Sequence, residues 1–228
     1  MPTLLLAFGL LSYFNTSAHA DPLVKFPEGN AAWIVEITYP KPSQSNTLAP
    51  SSPQQKPVNT RKPQKIEVTQ ADNVRRIRIT WDSGAPTEQW SIPNLPVTFK
   101  EYPDGSVFTV LKGSIQYQTD NFNLACDAPA FAWITPKDIV GKDPVTYEGK
   151  KCYHYAGANG IVLNIPHYKP AMEKHEAWID IKTSLPVALN TETSHSVFTF
   201  LPAPDGPLEM SEKFKKEIAY YKHVAGYP

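Results

Sequence analysis

Most sequence patterns that mark catalytic proteins are missing from this chain. It contains no G-x-S-x-G motif, no glycine-rich phosphate loop and no C-x-x-C pair, so none of the common hydrolase, nucleotide or dithiol sites is predicted. The 22 basic and 22 acidic residues cancel, which argues against gripping nucleic acid through bulk charge. We predict no catalytic residue, no cofactor and no nucleic-acid partner. A hydrolase whose site is assembled from distant strands stays open as the alternative.

Metal-ligand spacing is also missing. The nearest approach is the segment HEAWI at residues 175–179, where Ile179 stands in place of the second histidine of a zinc-protease helix and the pattern is that of a strand. No metal site is predicted, because the histidines after residue 20 share no ligand spacing on one element: His154, His167, His175, His195 and His223.

No apolar run is long enough to cross a membrane as an anchor. The run at residues 4–14 (LLLAFGLLSYF) is short and is followed by Ala18 and Ala20, the small residues that signal peptidase requires. The sequence therefore predicts a signal peptide over residues 1–20, a mature chain from Asp21, and export to the periplasm or beyond. The residue directly after the cleavage site is Asp21 and not a cysteine, so no lipid anchor is expected.

Cysteine is scarce: the chain has only Cys126 and Cys152. In an oxidising compartment the simplest expectation is a disulfide between them. Closing a loop of about 26 residues would stabilise the fold by about 3.5 kcal/mol. The alternative is that Cys152 is a thiol nucleophile or a metal ligand, together with His154 two positions further along the chain.

What the sequence does have is proline and period-two alternation. The 23 prolines in 228 residues disfavour long helices. Segments such as AAWIVEITY at residues 31–39 alternate apolar and other side chains, as strands do. We predict a mainly β fold in one domain over residues 21–228: a curved antiparallel sheet of about ten strands, with a β-sandwich as the alternative. One terminal helix is predicted from an apolar stripe at helical spacing: Met210, Phe214, Ile218 and Tyr221.

Turn chemistry divides the strands. Residues 40–64, rich in proline and almost without large apolar groups, are predicted to form an exposed loop between two strands. Residues 102–105 (YPDG) predict a tight hairpin turn. Asn159-Gly160 predicts a second hairpin, in which Cys152 and His154 share a face with apolar residues of the segment 161–165.

Two compositional features have both a functional and an ordinary interpretation. Between Lys56 and Arg78 there are seven basic and two acidic residues. This excess of positive charge is expected either of a site that binds phosphate or anionic lipid, or of an ordinary solvated strand face. The five tryptophans are expected either to line an apolar pocket or to pack in the hydrophobic core.

One local segment resembles a known family. Residues 177–190, from Ala177 to Asn190 (AWIDIKTSLPVALN), carry W-I-D, a threonine at 183 and L-P-V. This is similar to a hairpin of the outer-membrane lipoprotein-carrier superfamily. The resemblance implies a strongly curved antiparallel sheet whose concave side is covered by a helix or two and encloses space for acyl chains.

The leading functional hypothesis is an exported, non-catalytic monomer that binds a hydrophobic or envelope-derived ligand. Its rivals are the hydrolase with a dispersed site and an envelope protein–protein interaction module. A closed apolar cavity favours the first, a cleft with convergent polar groups the second, and a filled core with a bare surface patch the third.

Overall fold

The computed structural model describes residues 23–40, 61–117, 124–160 and 172–228. This part of the chain forms a sheet of eleven strands followed by helix α1 (Glu212–Ala225), with a short 3-10 helix at Ala128–Phe131. The strands are β1 (Ala31–Thr38), β2 (Pro63–Ala71), β3 (Val74–Trp81), β4 (Thr87–Ser91), β5 (Val97–Glu101), β6 (Val107–Leu111), β7 (Val145–Tyr147), β8 (Lys150–Asn159), β9 (Glu173–Asp180), β10 (Pro186–Asn190) and β11 (His195–Leu201).

The sheet consists of two antiparallel meanders joined side by side. Its order is β6-β5-β4-β3-β2-β1-β11-β10-β9-β8-β7, and the junction is the pairing of β1 with β11. The predicted antiparallel β fold with a C-terminal helix is confirmed. The β-sandwich alternative is wrong, because continuous pairing through β2, β1 and β11 makes one open sheet rather than two packed ones.

The larger core lies on one side of the sheet, which we call the inner face. Alternation along β1 buries Trp33 and Val35 on this face, beside the side chains of their registered neighbours on β2 and β11. Aromatic rings fill the space above them: Phe26 lies 5.7 Å from Trp33, and Phe131 lies 5.5 Å from Phe198, centroid to centroid. Fully burying each such side chain contributes about 1.5–3 kcal/mol.

Helix α1 packs on the opposite, outer face of the sheet. Trp90 of β4 is registered with Arg76, which alternates with the inner-face Ile77, so Trp90 points outward. Phe214 and Ile218 of α1 are buried against it in a second cluster. The predicted helix is confirmed, with Phe214, Ile218 and Tyr221 of its stripe in this cluster, whereas Met210 packs there from before the helix. Gly226 ends the helix in a left-handed conformation (φ 72°).

One hairpin turn has the chemistry that the sequence predicts, and the hairpin expected from the resemblance at residues 177–190 is also present. Between β5 and β6, Gly105 has φ 85° and its N–H donates to the Tyr102 carbonyl oxygen at 2.9 Å. Between β9 and β10, the Asp180 carboxylate accepts the N–H groups of Lys182 at 2.7 Å and Thr183 at 3.2 Å. The hairpin that carries the lipoprotein-carrier resemblance is therefore present as a hairpin.

Other predictions fall partly or wholly outside the described residues. These are the signal peptide, residues 41–60 of the predicted loop, and the segment 161–165. β2 begins at Pro63, so the last two residues of the predicted loop belong to a strand. β8 pairs with β9 from Cys152 to Asn159. No helix in the described ranges is long and apolar enough to cross a membrane.

Candidate functional site: a polar cleft on the outer face

The two cysteines do not form the predicted disulfide. Both are free and buried. Cys126 belongs to the inner-face core, whereas Cys152 packs with Trp178 in a separate cluster. Because Cys152 alternates along β8 with Tyr155, which belongs to the inner-face core, the sheet itself lies between the two thiols.

Neither thiol is an activated nucleophile. Burial, with a smaller contribution from Asp127, raises the pKa of Cys126 to about 12. Burial and then Asp180 raise the pKa of Cys152 as well. Both therefore stay protonated at neutral pH. Within the described ranges, no group of three or more His, Cys, Asp or Glu side chains is arranged to hold a metal ion, so the alternative metal site with His154 gains no support.

A row of polar side chains crosses the outer face of the sheet at one end. The strand registers place Glu176 of β9 opposite Asn190 of β10, Asn190 opposite His195 of β11, and His195 opposite Thr38 of β1. Residues directly opposite in antiparallel strands share a face. We call these four residues the polar row.

Hydrogen bonds orient the polar row. The Asn190 amide nitrogen donates to Glu176 Oε2 at 3.5 Å, which leaves Asn190 Oδ1 to accept from His195 Nδ1 at 2.5 Å. This network assigns the proton to Nδ1 of His195. Its Nε2 is then the acceptor for the Tyr147 hydroxyl at 3.4 Å. The imidazole is thus held in one tautomer and one orientation.

Aromatic rings stack beside the polar row, one row further along the strands. Trp178 lies 4.7 Å from the His154 ring with an interplanar angle of 5°, and 4.3 Å from the Tyr147 ring with an angle of 21°. Trp178 is registered opposite Ala188, whose small side chain leaves room for the indole. Burial, then Glu148 and Cys152, raise the pKa of Tyr147, so its hydroxyl stays a hydrogen-bond donor.

One polar atom between the aromatic stack and the polar row has no hydrogen-bond partner within the described residues. His154 Nε2 is buried and lies 3.9 Å from Glu176 Oε2, beyond hydrogen-bonding distance. A buried polar group without a partner costs about 1–3 kcal/mol. The carboxylate of Glu176 therefore stands between two groups that can share it, the imidazole of His154 and the amide of Asn190.

The polar row forms part of an open cleft of about 420 Å³. Its walls come from Tyr39 and Pro40 on one side and from the turn between β10 and β11 on the other. Tyr39 is fixed because its hydroxyl donates to the Pro63 carbonyl oxygen at 2.8 Å. The turn is fixed because the Thr191 N–H donates to the Ser194 carbonyl oxygen at 2.9 Å. The charged lining is of both signs: Lys174, Glu176 and Glu192.

The basic segment of β2 and β3 does not form one patch. The Arg75 guanidinium bonds to Asp127 at 2.7 Å and lies over the ring of Trp33 on the inner side. Arg76 lies over Trp90 on the outer side. Strand alternation separates these neighbouring charges, so the ordinary interpretation of the segment fits the structure better than an anion site.

Sequence reasoning considered two members of the cleft, Glu176 and His195, only as metal-site candidates. His175, which precedes Glu176, lies on the inner face, buried with its ring 6.0 Å from that of Trp133. The available signal was the hairpin at residues 177–190, because its turn fixes which residue of β10 faces Glu176. The contribution of β11 and β1 had no local signal.

Comparison with known proteins adds little to this geometry. No protein-family model matches the chain, and no curated protein matches it. Among solved structures, the chain is similar to the lipoprotein LppX of Mycobacterium tuberculosis, with a TM-score of 0.40 and 12% sequence identity, over 80% of this chain and 89% of that chain. The likeness is weak and places the chain in no family.

Proposed function

We propose that this protein is an exported, non-catalytic binding protein that holds a small, hydroxyl-rich ligand, a sugar residue of an envelope polymer, in the outer-face cleft. The observation that carries the proposal is the polar row. Glu176 and Asn190 have a further carboxylate acceptor and amide donor beyond their mutual bond, and the bond from His195 helps to fix their orientation. Donors and acceptors held in this way are how binding sites select hydroxyl groups.

The charge of the cleft supports a neutral ligand. The lining carries one lysine, Lys174, and two carboxylates, Glu176 and Glu192, so it disfavours an anion and has a net charge of only −1 (1 − 2) to attract a cation. A volume of about 420 Å³ lies within the usual range of small-molecule sites.

A cleft with convergent polar groups is also the feature expected of the hydrolase. Binding without turnover is supported by the protonation of the phenol and the thiol that lie beside the cleft. The raised pKa values of Tyr147 and Cys152 keep both in their neutral forms, whereas covalent catalysis needs an activated nucleophile. The hydroxyls of Thr191 and Ser194 contact each other at 3.0 Å within their turn.

The same structure gives less support to an acyl chain as the ligand. In the described residues, the inner face carries closely packed aromatic rings around Phe26, which lies within about 6 Å of Trp33, Phe131, Phe198 and Phe200. An acyl chain on this face would have to displace that packing. Of the two ligand classes expected from the sequence, the envelope-derived one therefore fits the cleft better than the hydrophobic one.

The test is a titration of the exported protein with soluble envelope-type oligosaccharides, such as N-acetylglucosamine trimers, followed by tryptophan fluorescence. Trp178 lies one row from the cleft, so its emission should change on binding and the change should be lost in Trp178→Phe. Asn190→Ala should weaken binding about 3–10-fold, which corresponds to one neutral hydrogen bond.

Glu36→Ala is the matched control, because Glu36 is exposed on β1 and registered with Val197, two residues before Thr38 and outside the cleft lining. It should leave binding unchanged. Cleavage of the oligosaccharide during the titration would favour the hydrolase. Absence of any binding at millimolar concentration, with tight binding of a fluorescent fatty acid, would favour the carrier.

A further inference from the structure

The strand β6 is an uncharged edge of the sheet. It stands at one end of the strand order, and in the part of the chain that the structure describes it pairs with β5 alone. Its sequence, VFTVL at Val107–Leu111, has neither a charged residue nor a proline. Edge strands usually carry such residues, which block pairing with other chains.

The outward backbone groups of β6 can be assigned from the bonds at both ends of its ladder. The Tyr102 N–H donates to the Ser106 carbonyl oxygen at 2.8 Å, and the Lys112 N–H donates to the Pro96 carbonyl oxygen at 2.7 Å. Bonding alternates along an antiparallel strand. The even-numbered residues therefore bond toward β5, and the N–H and C=O groups that point away from it belong to Val107, Thr109 and Leu111.

An apolar groove of about 340 Å³ runs along this edge, between β6 and helix α1. Two large side chains of α1 border it while remaining mostly exposed, Tyr220 at 67% and Val224 at 65%. Leu111, at the end of β6, is 57% exposed. The buried stripe of α1 is formed by Phe214 and Ile218, so the exposed pair belongs to a second apolar surface.

We propose that two copies of this chain pair through β6, antiparallel about a two-fold axis at Thr109. In this register Thr109 faces its own copy and Val107 faces the partner subunit's Leu111. Val107, Thr109 and Leu111 all direct their backbone N–H and C=O groups away from β5. In this register each of them lies opposite another of the three, so their outward groups can hydrogen-bond to each other across the two edges.

A second copy fits this edge because the surface is self-complementary, as a two-fold interface must be. Leu111 shares the outer face with Val107, since Val97 and Leu111 are registered and Val97 packs in the α1 cluster. Pairing therefore places the partner subunit's Leu111 beside Val107, in the groove under Tyr220 and Val224. Each copy fills the groove of the other, which replaces the expectation of a monomer.

The test measures the mass of the exported protein in solution by sedimentation velocity between about 1 and 100 μM. The wild-type protein should have the mass of a dimer at the upper end. Thr109→Lys and Thr109→Glu should each be monomeric, because like charges would meet on the axis. An equimolar mixture of the two should recover the dimer, since the opposite charges then face each other.

Two further variants separate pairing from folding. Thr109→Pro removes an N–H that does not bond to β5, so it should abolish the dimer and keep the circular dichroism of the wild type. Thr199→Lys is the control, because Thr199 is an exposed outer-face position of β11, and it should stay dimeric.

Three results would overturn the proposal. They are a monomeric wild-type protein at 100 μM, a dimer that persists in folded Thr109→Lys, and a mixture of the Lys and Glu variants that stays monomeric. Binding of a fluorescent fatty acid to a monomeric wild type, lost in Val224→Asp, would assign the groove to a lipid instead.

Discussion

The indole of Trp133 lies directly over Gly157 of β8, so closely that a Cβ atom at position 157 would stand 2.7 Å from Trp133 Cε3. The ring is anchored there because its Nε1–H donates to the Ala130 carbonyl oxygen at 3.0 Å. It also meets the His175 ring edge to face. This contact fixes the segment that covers the inner face against the sheet.

Gly157→Ala is expected to lower the free energy of unfolding by about 1–3 kcal/mol, because the indole must move to admit the methyl group. Denaturant unfolding measures the change. Trp133→Leu provides the second arm of a double-mutant cycle: the loss caused by Gly157→Ala should shrink in the Trp133→Leu background. Equal losses in both backgrounds would show that the ring is not the cause.

The stability of the protein should fall as the pH drops below about 6.5, with His175 contributing. Burial lowers the pKa of His175, against opposing effects of Glu173 and Glu192. A depressed histidine pKa means that the unfolded chain binds the proton first, so the contribution is complete above the unfolded pKa and is lost as the pH falls toward the folded one.

His175→Gln should therefore flatten the dependence of unfolding free energy on pH between about 5 and 7. His223→Gln is the control, because His223 lies exposed on α1. A pH dependence that is identical in the wild type and in His175→Gln would contradict the assignment.

Two ion pairs that involve strand residues should differ in their contribution to the free energy of unfolding. Arg75 and Asp127 are 2.7 Å apart with side chains 28% and 14% exposed, whereas Lys65 and Glu67 are 3.0 Å apart and 38% and 32% exposed. Arg75→Ala also strips the guanidinium from the face of Trp33. It should cost about 1–3 kcal/mol, because the largely covered carboxylate of Asp127 loses its partner.

Lys65→Ala should cost no more than about 1 kcal/mol, as exposed pairs usually do. Thermal unfolding of both variants in parallel tests the ranking. Equal losses would mean that Asp127 finds another donor or water once Arg75 is removed.

Both cysteines should titrate as free thiols. Under denaturing, non-reducing conditions a thiol reagent should label both positions, and intact mass should show no loss of two hydrogens. In the folded protein labelling should be slow at both, because burial raises the pKa of each thiol. A single disulfide species would mean that the sheet does not separate Cys126 from Cys152 as the structure has it.

The sequence by itself determined the features whose causes are local. Alternation along β1 and β3 follows from the two-residue repeat of a strand, and the stripe through Phe214 and Ile218 follows from the repeat of a helix. The turn at Gly105 needs a residue that accepts positive φ. Each of these features depends on residues only a few positions apart in the chain, so the local pattern is sufficient to predict it.

The tertiary structure alone decided which strands meet and which face a side chain occupies relative to distant ones. Cys126 and Cys152 are separated by the sheet because β8 directs Cys152 outward, while Cys126 comes from the segment that covers the inner face. The polar row needs β11 to pair with both β1 and β10, which brings Thr38 and His195 together across 157 positions of sequence. Pairings of that kind are set by the packing of whole meanders, and a local pattern carries no information about them.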